Sequence, residues 1–86
     1  MKRDFMVELE KVNSRNDLSK FVQALSEDCK ENSAEWENPD LISFLAAMAS
    51  WIQDMDGYYS NHNKPFSEDQ SWKIFAEIVF AAKQYE

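Results

Sequence analysis

The sequence predicts an all-α protein, a compact bundle of three longer helices plus a shorter N-terminal helix. Two observations support this fold class. The 86 residues include one glycine and two prolines, which is too few for the tight turns of an all-β fold. Apolar residues recur at three- and four-residue spacing along four segments, as they do on one face of an amphipathic helix. Such stripes are buried against one another, which favours a bundle.

The first two predicted helices lie in the first third of the chain. One runs from about Lys2 to Val12, and the next runs from about Asp17 to Lys30 with Asn16 as its expected N-cap. Each carries an apolar stripe that we expect to be buried. The residues of the two stripes are Phe5, Met6, Leu9, Val12, Leu18, Phe21, Val22, Leu25 and Cys29.

The third predicted helix is the central one. Asn38 is its expected N-cap, and Pro39 has the fixed φ that suits the first helical position. Its apolar stripe consists of Leu41, Phe44, Leu45, Met48, Trp51, Ile52 and Met55. Gly57 either terminates this helix or interrupts it. The pattern leaves open whether Tyr58 and Tyr59 pack in the core or contact a partner.

The fourth predicted helix begins near Ser67, which forms a capping-box pattern with Gln70. Its apolar residues are Trp72, Ile74, Phe75, Ile78, Val79, Phe80, Ala81, Ala82 and, if the helix reaches it, Tyr85. This face is wider than one neighbouring helix needs. It indicates either deep burial or a self-association surface, so a homodimer is one expectation.

Chain length and cysteine usage predict one domain in a reducing compartment. A chain of this size supports one hydrophobic core, so residues 1–86 are expected to form a single helical domain. Cys29 is the only cysteine, which excludes an intrachain disulfide and fits the cytoplasm. Charged residues interrupt the apolar region that a signal peptide would need, and no apolar stretch approaches the ~20 residues of a membrane span. We therefore expect a cytoplasmic location.

Charge distribution indicates the class of partner. The formal net charge is −7, and no lysine or arginine lies between Lys30 and Lys64. Six acidic residues lie in that interval: Glu31, Glu35, Glu37, Asp40, Asp54 and Asp56. Because such a segment repels phosphates and acidic lipid surfaces, we expect neither nucleic acid nor membrane binding. A basic protein is the partner that the charge favours.

Acidic and aromatic residues of this segment are the candidate partner-binding residues. Carboxylates speed the encounter with a basic partner, and large aromatic side chains near a polar rim are typical anchors. The candidates are Glu35, Trp36, Glu37, Asp40, Asp54, Asp56, Tyr58 and Tyr59.

The sequence predicts no catalytic, cofactor-binding or metal site. Residues 54–57 superficially resemble a calcium loop but lack its alternating oxygen ligands and closing glutamate. His62 is the only histidine, which disfavours a zinc site and a histidine-activated nucleophile. A small metal-assisted enzyme that uses Asp54 and Asp56 beside the two tyrosines is retained as an alternative.

Three strings resemble a family of short acidic bacterial proteins of unknown function, and the resemblance covers nearly the whole chain. The strings are Trp36-Glu37-Asn38-Pro39, Asp54-Met55-x-Gly57-Tyr58-Tyr59 and Ala81-Ala82-x-x-Tyr85-Glu86. The resemblance implies a bacterial setting and supplies no catalytic residues.

The leading hypothesis is a cytoplasmic protein-binding module that engages a basic partner through its cation-free central segment. In size and charge such a module resembles toxin-neutralising immunity proteins. A self-associating structural protein, which would use the apolar face of the fourth helix, is the main alternative.

Overall fold

A computed structural model describes residues 4–85, and all of the regular structure in that range is helical. The elements in chain order are α1 (Phe5–Glu10), α2 (Arg15–Asn32), a 3₁₀ turn (Ser33–Glu35), α3 (Leu41–Asn61) and α4 (Trp72–Ala82). The all-α class is confirmed, with three helices longer than α1. The expected start of the first helix at Lys2 lies outside the described residues.

The chain divides into two compact units, unit 1 (residues 1–49) and unit 2 (residues 50–86), and the boundary falls inside α3. Unit 1 contains α1, α2, the 3₁₀ turn and the start of α3. Unit 2 contains the remainder of α3 and the whole of α4. The single domain expected for residues 1–86 stays a prediction.

Helix α1 is short but has a defined beginning. The Asp4 carboxylate accepts hydrogen bonds from the backbone N–H groups of Met6 (3.1 Å) and Val7 (3.4 Å), two of the donors that lack partners at a helix start. The Phe5 ring meets the Phe21 ring of α2 edge to face, with centroids 5.9 Å apart. This contact joins the first two helices within unit 1.

Helix α2 begins earlier than expected, and Ser14 rather than Asn16 is its N-cap. The Ser14 hydroxyl accepts a hydrogen bond from the Asp17 N–H at 3.0 Å. The Asp17 carboxylate in turn accepts one from the Asn13 N–H at 3.3 Å. This reciprocal pair satisfies two backbone donors, and Asn16 therefore lies inside the helix.

Helix α3 is one uninterrupted element that continues through Gly57 to Asn61. Its N-cap is Asp40 and not the expected Asn38. The Asp40 carboxylate accepts hydrogen bonds from the Ser43 N–H (2.9 Å) and from the Ser43 hydroxyl (2.8 Å). Asp40 directly precedes the first helical residue, so its side chain reaches the free N–H groups, whereas Asn38 lies too far upstream.

The Asp40 cap makes the stability of this helix start depend on pH. Hydrogen bonds from the Ser43 N–H and hydroxyl lower the pKa of Asp40 below its ordinary value of 3.8. Because the folded pKa is the lower one, the stabilisation is complete above the unfolded value and is lost as pH falls through the folded value. We expect the melting temperature of wild type to exceed that of Asp40→Ala by about 5 °C at neutral pH. The difference should shrink between about pH 5 and pH 2.5 in thermal scans.

Asn is also a good N-cap but does not titrate, so Asp40→Asn provides the control for this pH dependence. The melting temperature of Asp40→Asn should exceed that of Asp40→Ala by an amount that is nearly independent of pH over the same range. If the difference in melting temperature between wild type and Asp40→Ala stays constant down to pH 2.5, the role assigned to the ionised carboxylate is contradicted.

Helix α4 begins at Trp72, later than the capping-box pattern indicates. The Ser67 hydroxyl accepts a hydrogen bond from the Asp69 N–H at 3.0 Å, which forms a local turn instead of capping a helix. The Trp72 indole N–H donates to the Glu68 carbonyl at 2.9 Å. The expected pairing of Ser67 with Gln70 is therefore wrong, because the serine side chain bonds two residues ahead and the backbone stays irregular as far as residue 71.

Side-chain burial is far lower than the apolar stripes suggest. Ala24, 3% exposed, is the one buried residue among residues 4–85. Stripe residues expected in the core are half-buried or exposed, for example Val22 at 54% and Leu41 at 71%. Periodicity identifies which face of a helix is apolar, but it does not supply a neighbouring helix to cover that face. The expectation that these stripes are buried is therefore wrong for most of their residues.

Candidate functional site

Residues 35–40 form the acidic loop of unit 1, which starts at the last residue of the 3₁₀ turn and leads to α3. Trp36 is half-buried: its indole N–H donates to the Asp28 carboxylate at 2.8 Å, and its ring lies 6.1 Å from the Phe44 ring. Glu37 is exposed. The tryptophan expected as a partner anchor therefore fastens the loop to α2 and α3, and the carboxylates remain on the surface.

Asp28 positions this loop, although the sequence reasoning assigned it no role. Its carboxylate accepts a hydrogen bond from the Asn32 side chain (2.9 Å) as well as from Trp36. The four-residue spacing of Asp28 and Asn32 on one helix was a usable signal, since residues at that spacing lie side by side. The hydrogen bond between Asp28 and Trp36 depends on how the 3₁₀ turn folds, so no residue spacing in the sequence indicates it.

We expect Asp28→Ala to destabilise unit 1 by about 1–2 kcal/mol, because the half-buried indole N–H loses a charged acceptor. Urea unfolding measures the loss, and the indole N–H resonance of Trp36 should move toward the position of a solvated tryptophan. Glu27→Ala is the matched control on an exposed neighbouring position, with an expected change within about 0.5 kcal/mol. Equal losses in the two variants would show that the carboxylate of Asp28 does not hold the loop.

Unit 2 contains an aromatic cluster of Trp51, Tyr58, Tyr59, His62 and Phe66. Ring centroids lie 5.9 Å apart for Trp51 and Tyr58, 5.5 Å for Tyr58 and Tyr59, and 5.4 Å for Tyr59 and Phe66. Both tyrosines are half-buried. Each tyrosine packs against other rings and keeps part of its surface in solvent. That either tyrosine contacts a partner stays a prediction.

The end of α3 fixes the aromatic cluster from one side. The His62 ring stacks on Tyr58 at 4.3 Å, and the backbone reverses at Asn63, whose φ is +53°. The Lys64 N–H then donates to the Tyr59 carbonyl at 2.8 Å. This turn places the Lys64 ammonium 5.5 Å from the centre of the Tyr58 ring. One face of Tyr58 is therefore already occupied by a cation of the same chain.

An open groove of about 180 Å³ lies beside the cluster in unit 2. We name it the acidic groove, and its lining residues are Ile52, Gln53, Met55, Asp56, Phe66, Glu68 and Trp72. Two exposed carboxylates, of Asp56 and Glu68, therefore lie beside apolar and aromatic side chains. Such a combination suits a cation on an apolar stem, because the carboxylates pair with the charge and the rings cover the methylene groups.

Asp54 and Asp56 do not form a carboxylate pair. Residues two apart on a helix point about 200° away from each other, and only Asp56 lines the groove. The Asp56 carboxylate also accepts a hydrogen bond from the Gly57 N–H at 2.9 Å. Within residues 4–85 no three histidine, cysteine or acidic side chains come together in a way that could hold a metal ion. The metal-assisted alternative therefore lacks a ligand set in this range.

The predicted site residues are distributed over both units. Glu35, Trp36, Glu37 and Asp40 belong to unit 1, whereas Asp54, Asp56, Tyr58 and Tyr59 belong to unit 2. Sequence reasoning missed the contributions of Phe66, Glu68 and Trp72 to the groove, because residues 67–70 were assigned to a helix. The adjacent Pro65 and the serine of the local turn were the available signals for an irregular connection.

Comparison with known proteins identifies a family. The model of a family described as "Family of unknown function (DUF7660)" matches residues 14–86. No curated protein and no solved structure matches the chain. Among the described residues, none of the helices combines the length and the apolar character that crossing a membrane requires.

Proposed function

The chain belongs to this family of unknown function, and because membership supplies no activity, we propose from its surface that it is a protein-binding module with a basic partner. Exposed carboxylates of the cation-free segment include those of Glu37, Asp40, Asp54 and Asp56. A surface of one sign raises the local concentration of an oppositely charged protein and speeds the encounter. This attraction supports the class of partner but not the place of contact.

The acidic groove is the observation that carries the proposal. Asp56 and Glu68 border it, and Phe66 and Trp72 supply aromatic surface next to them. A lysine or arginine side chain of the partner would lay its methylene groups on this surface and place its charge between the carboxylates. Buried aromatic and arginine contacts of this kind dominate the affinity of many interfaces.

The other candidate residues have supporting roles in this proposal. Carboxylates of the acidic loop add long-range attraction, which salt screens within about 10 Å. Trp36 holds the loop through Asp28. Tyr59 packs its ring against Phe66 at 5.4 Å and so positions one of the aromatic residues of the groove. The tyrosines thus act on the partner mainly through the shape of the groove.

We propose further that the protein is bacterial and cytoplasmic and that its partner is a basic toxin, as for immunity proteins of similar size and charge. This finer proposal is an analogy of surface properties and does not depend on the fold. Co-expression with a basic toxin encoded next to this chain should protect the cell. Loss of protection in the Asp56→Asn/Glu68→Gln variant, at unchanged protein level, would support the groove as the neutralising surface.

Site-specific photo-crosslinking in the native host tests the proposal. A photoreactive phenylalanine analogue at Gln53, which lines the groove, should capture one basic protein through a segment that contains lysine or arginine. The same analogue at Ser19, an exposed position of α2, serves as the control and should not capture that protein. Capture of a neutral or acidic protein at position 53, or equal capture at both positions, would contradict the proposal.

A further inference from the structure

The acidic groove has room for a single side chain. Its volume of about 180 Å³ is below the roughly 300–1,000 Å³ of pockets that enclose a drug-sized ligand. The groove is open, and all of its lining residues belong to unit 2. A side chain that projects from the surface of a partner therefore fits this groove better than a free cofactor does.

The two carboxylates of the groove keep most of their hydrogen-bonding capacity for a ligand. Within residues 4–85 the Asp56 carboxylate has one partner, the Gly57 N–H at 2.9 Å, which occupies one of its two oxygens. The Glu68 carboxylate is exposed and has no partner in the same range. A cation in the groove therefore meets ionised acceptors that no lysine or arginine of the described chain neutralises.

Trp72 adds a ring face that the aromatic cluster does not use. Tyr59 and Phe66 pack against each other with centroids 5.4 Å apart. Trp72, 39% exposed, is in none of the ring–ring or cation–ring contacts formed within residues 4–85. Its indole N–H donates to the Glu68 carbonyl at 2.9 Å, so the ring is held next to the residue that carries one of the two carboxylates. An aromatic face and a carboxylate are thus available to the same ligand.

We infer that the cation bound in this groove is the guanidinium of an arginine and not the ammonium of a lysine, a choice that rests on the proposed function and specifies its ligand. A guanidinium is planar, so its face stacks on Trp72 while the N–H groups at its edge donate to the carboxylates of Asp56 and Glu68. A lysine ammonium is a compact, strongly hydrated charge without a face to stack. Lysine therefore loses more hydration in the groove and gains less from the ring.

NMR titration of the full chain with N-acetyl-arginine methylamide and N-acetyl-lysine methylamide tests the preference. The arginine probe should shift the indole N–H resonance of Trp72 and the backbone N–H resonance of Glu68. Its dissociation constant should be on the order of 1 mM, as expected for a single side chain. The lysine probe should bind at least about 5-fold more weakly. The citrulline analogue, which has the shape of arginine without its charge, should produce no saturable shift.

Variants of the groove assign the binding to its residues. Trp72→Leu removes the ring face and should bring the affinities of the two probes to within about 2-fold of each other. Glu68→Gln keeps the ring and changes an exposed side chain outside the helices, and it should weaken arginine binding at least about 3-fold. Glu77→Gln makes the same charge change outside the groove and should leave the constant within about 2-fold of wild type. Far-UV circular dichroism verifies that each variant keeps its helix content.

Equal affinities of the arginine and lysine probes for wild type would overturn the preference and leave the proposed function in place. Absence of any shift at Trp72 would also overturn it. So would an arginine preference that Trp72→Leu and Glu68→Gln leave unchanged, since the probe would then bind elsewhere. Failure of the crosslink at position 53 counts against a protein partner instead, because the free probes still measure which cation the groove selects.

Discussion

Replacing Asp56 and Glu68 together by their amides is expected to weaken binding of the basic partner about 100-fold. Both side chains line the acidic groove, and amides of nearly the same shape remove the charge while keeping the packing. The loss should appear in the association rate as well as in the dissociation rate, because these carboxylates both attract the partner and hold its cation. Surface plasmon resonance with the partner identified by crosslinking, at two salt concentrations, measures both rates.

A control variant with the same change in net charge separates the groove from general attraction. Asp54→Asn/Glu77→Gln also removes two negative charges, but neither residue lines the groove. It should reduce the association rate by less than about 10-fold and leave the dissociation rate unchanged. If the two double variants behave alike, binding depends on net charge and not on the groove.

Introducing a charge at Ala24 is expected to unfold unit 1. This residue is 3% exposed, so an aspartate there would place its carboxylate on the enclosed side of α2. The penalty for such a buried charge is about 3 kcal/mol or more, which is a large fraction of the stability of a small chain. Urea unfolding followed by far-UV circular dichroism should show loss of the α2 signal at low denaturant concentration.

Gln23→Asp provides the matched control for Ala24→Asp. Gln23 is exposed and adjacent on the same helix, so the control carries the same new charge into solvent. Its effect should remain below about 1 kcal/mol, the scale of helix propensity. Similar urea midpoints for Ala24→Asp and Gln23→Asp would mean that position 24 is not enclosed.

Helix class and approximate helix positions could be predicted from the sequence because they depend on local chemistry. The apolar residues from Leu41 to Met55 recur at helical spacing, and α3 forms there. Capping was harder to predict. Ser14, Asn16, Asp40 and Ser67 are all good capping residues, and the choice among them depends on which N–H groups are free once the backbone has folded.

The acidic groove could not be predicted because it joins residues that are distant in sequence. Asp56 lies on α3, whereas Phe66 and Glu68 lie in the connection after it, and Trp72 begins the next helix. Periodicity describes one helix at a time and contains no information on how an irregular connection returns to it. Because periodicity does not show which apolar residues another element covers, the burial expected for Leu41 and Val22 was too high.

The three tryptophans provide each unit with its own optical reporter. Trp36 belongs to unit 1, and Trp51 and Trp72 belong to unit 2. Phenylalanine replacements that leave fluorescence in a single unit would therefore record the melting of each unit separately. Coincident transitions would indicate one cooperative domain, and separate transitions would indicate two that melt independently. Tryptophan fluorescence thus distinguishes these two outcomes without any knowledge of the binding partner.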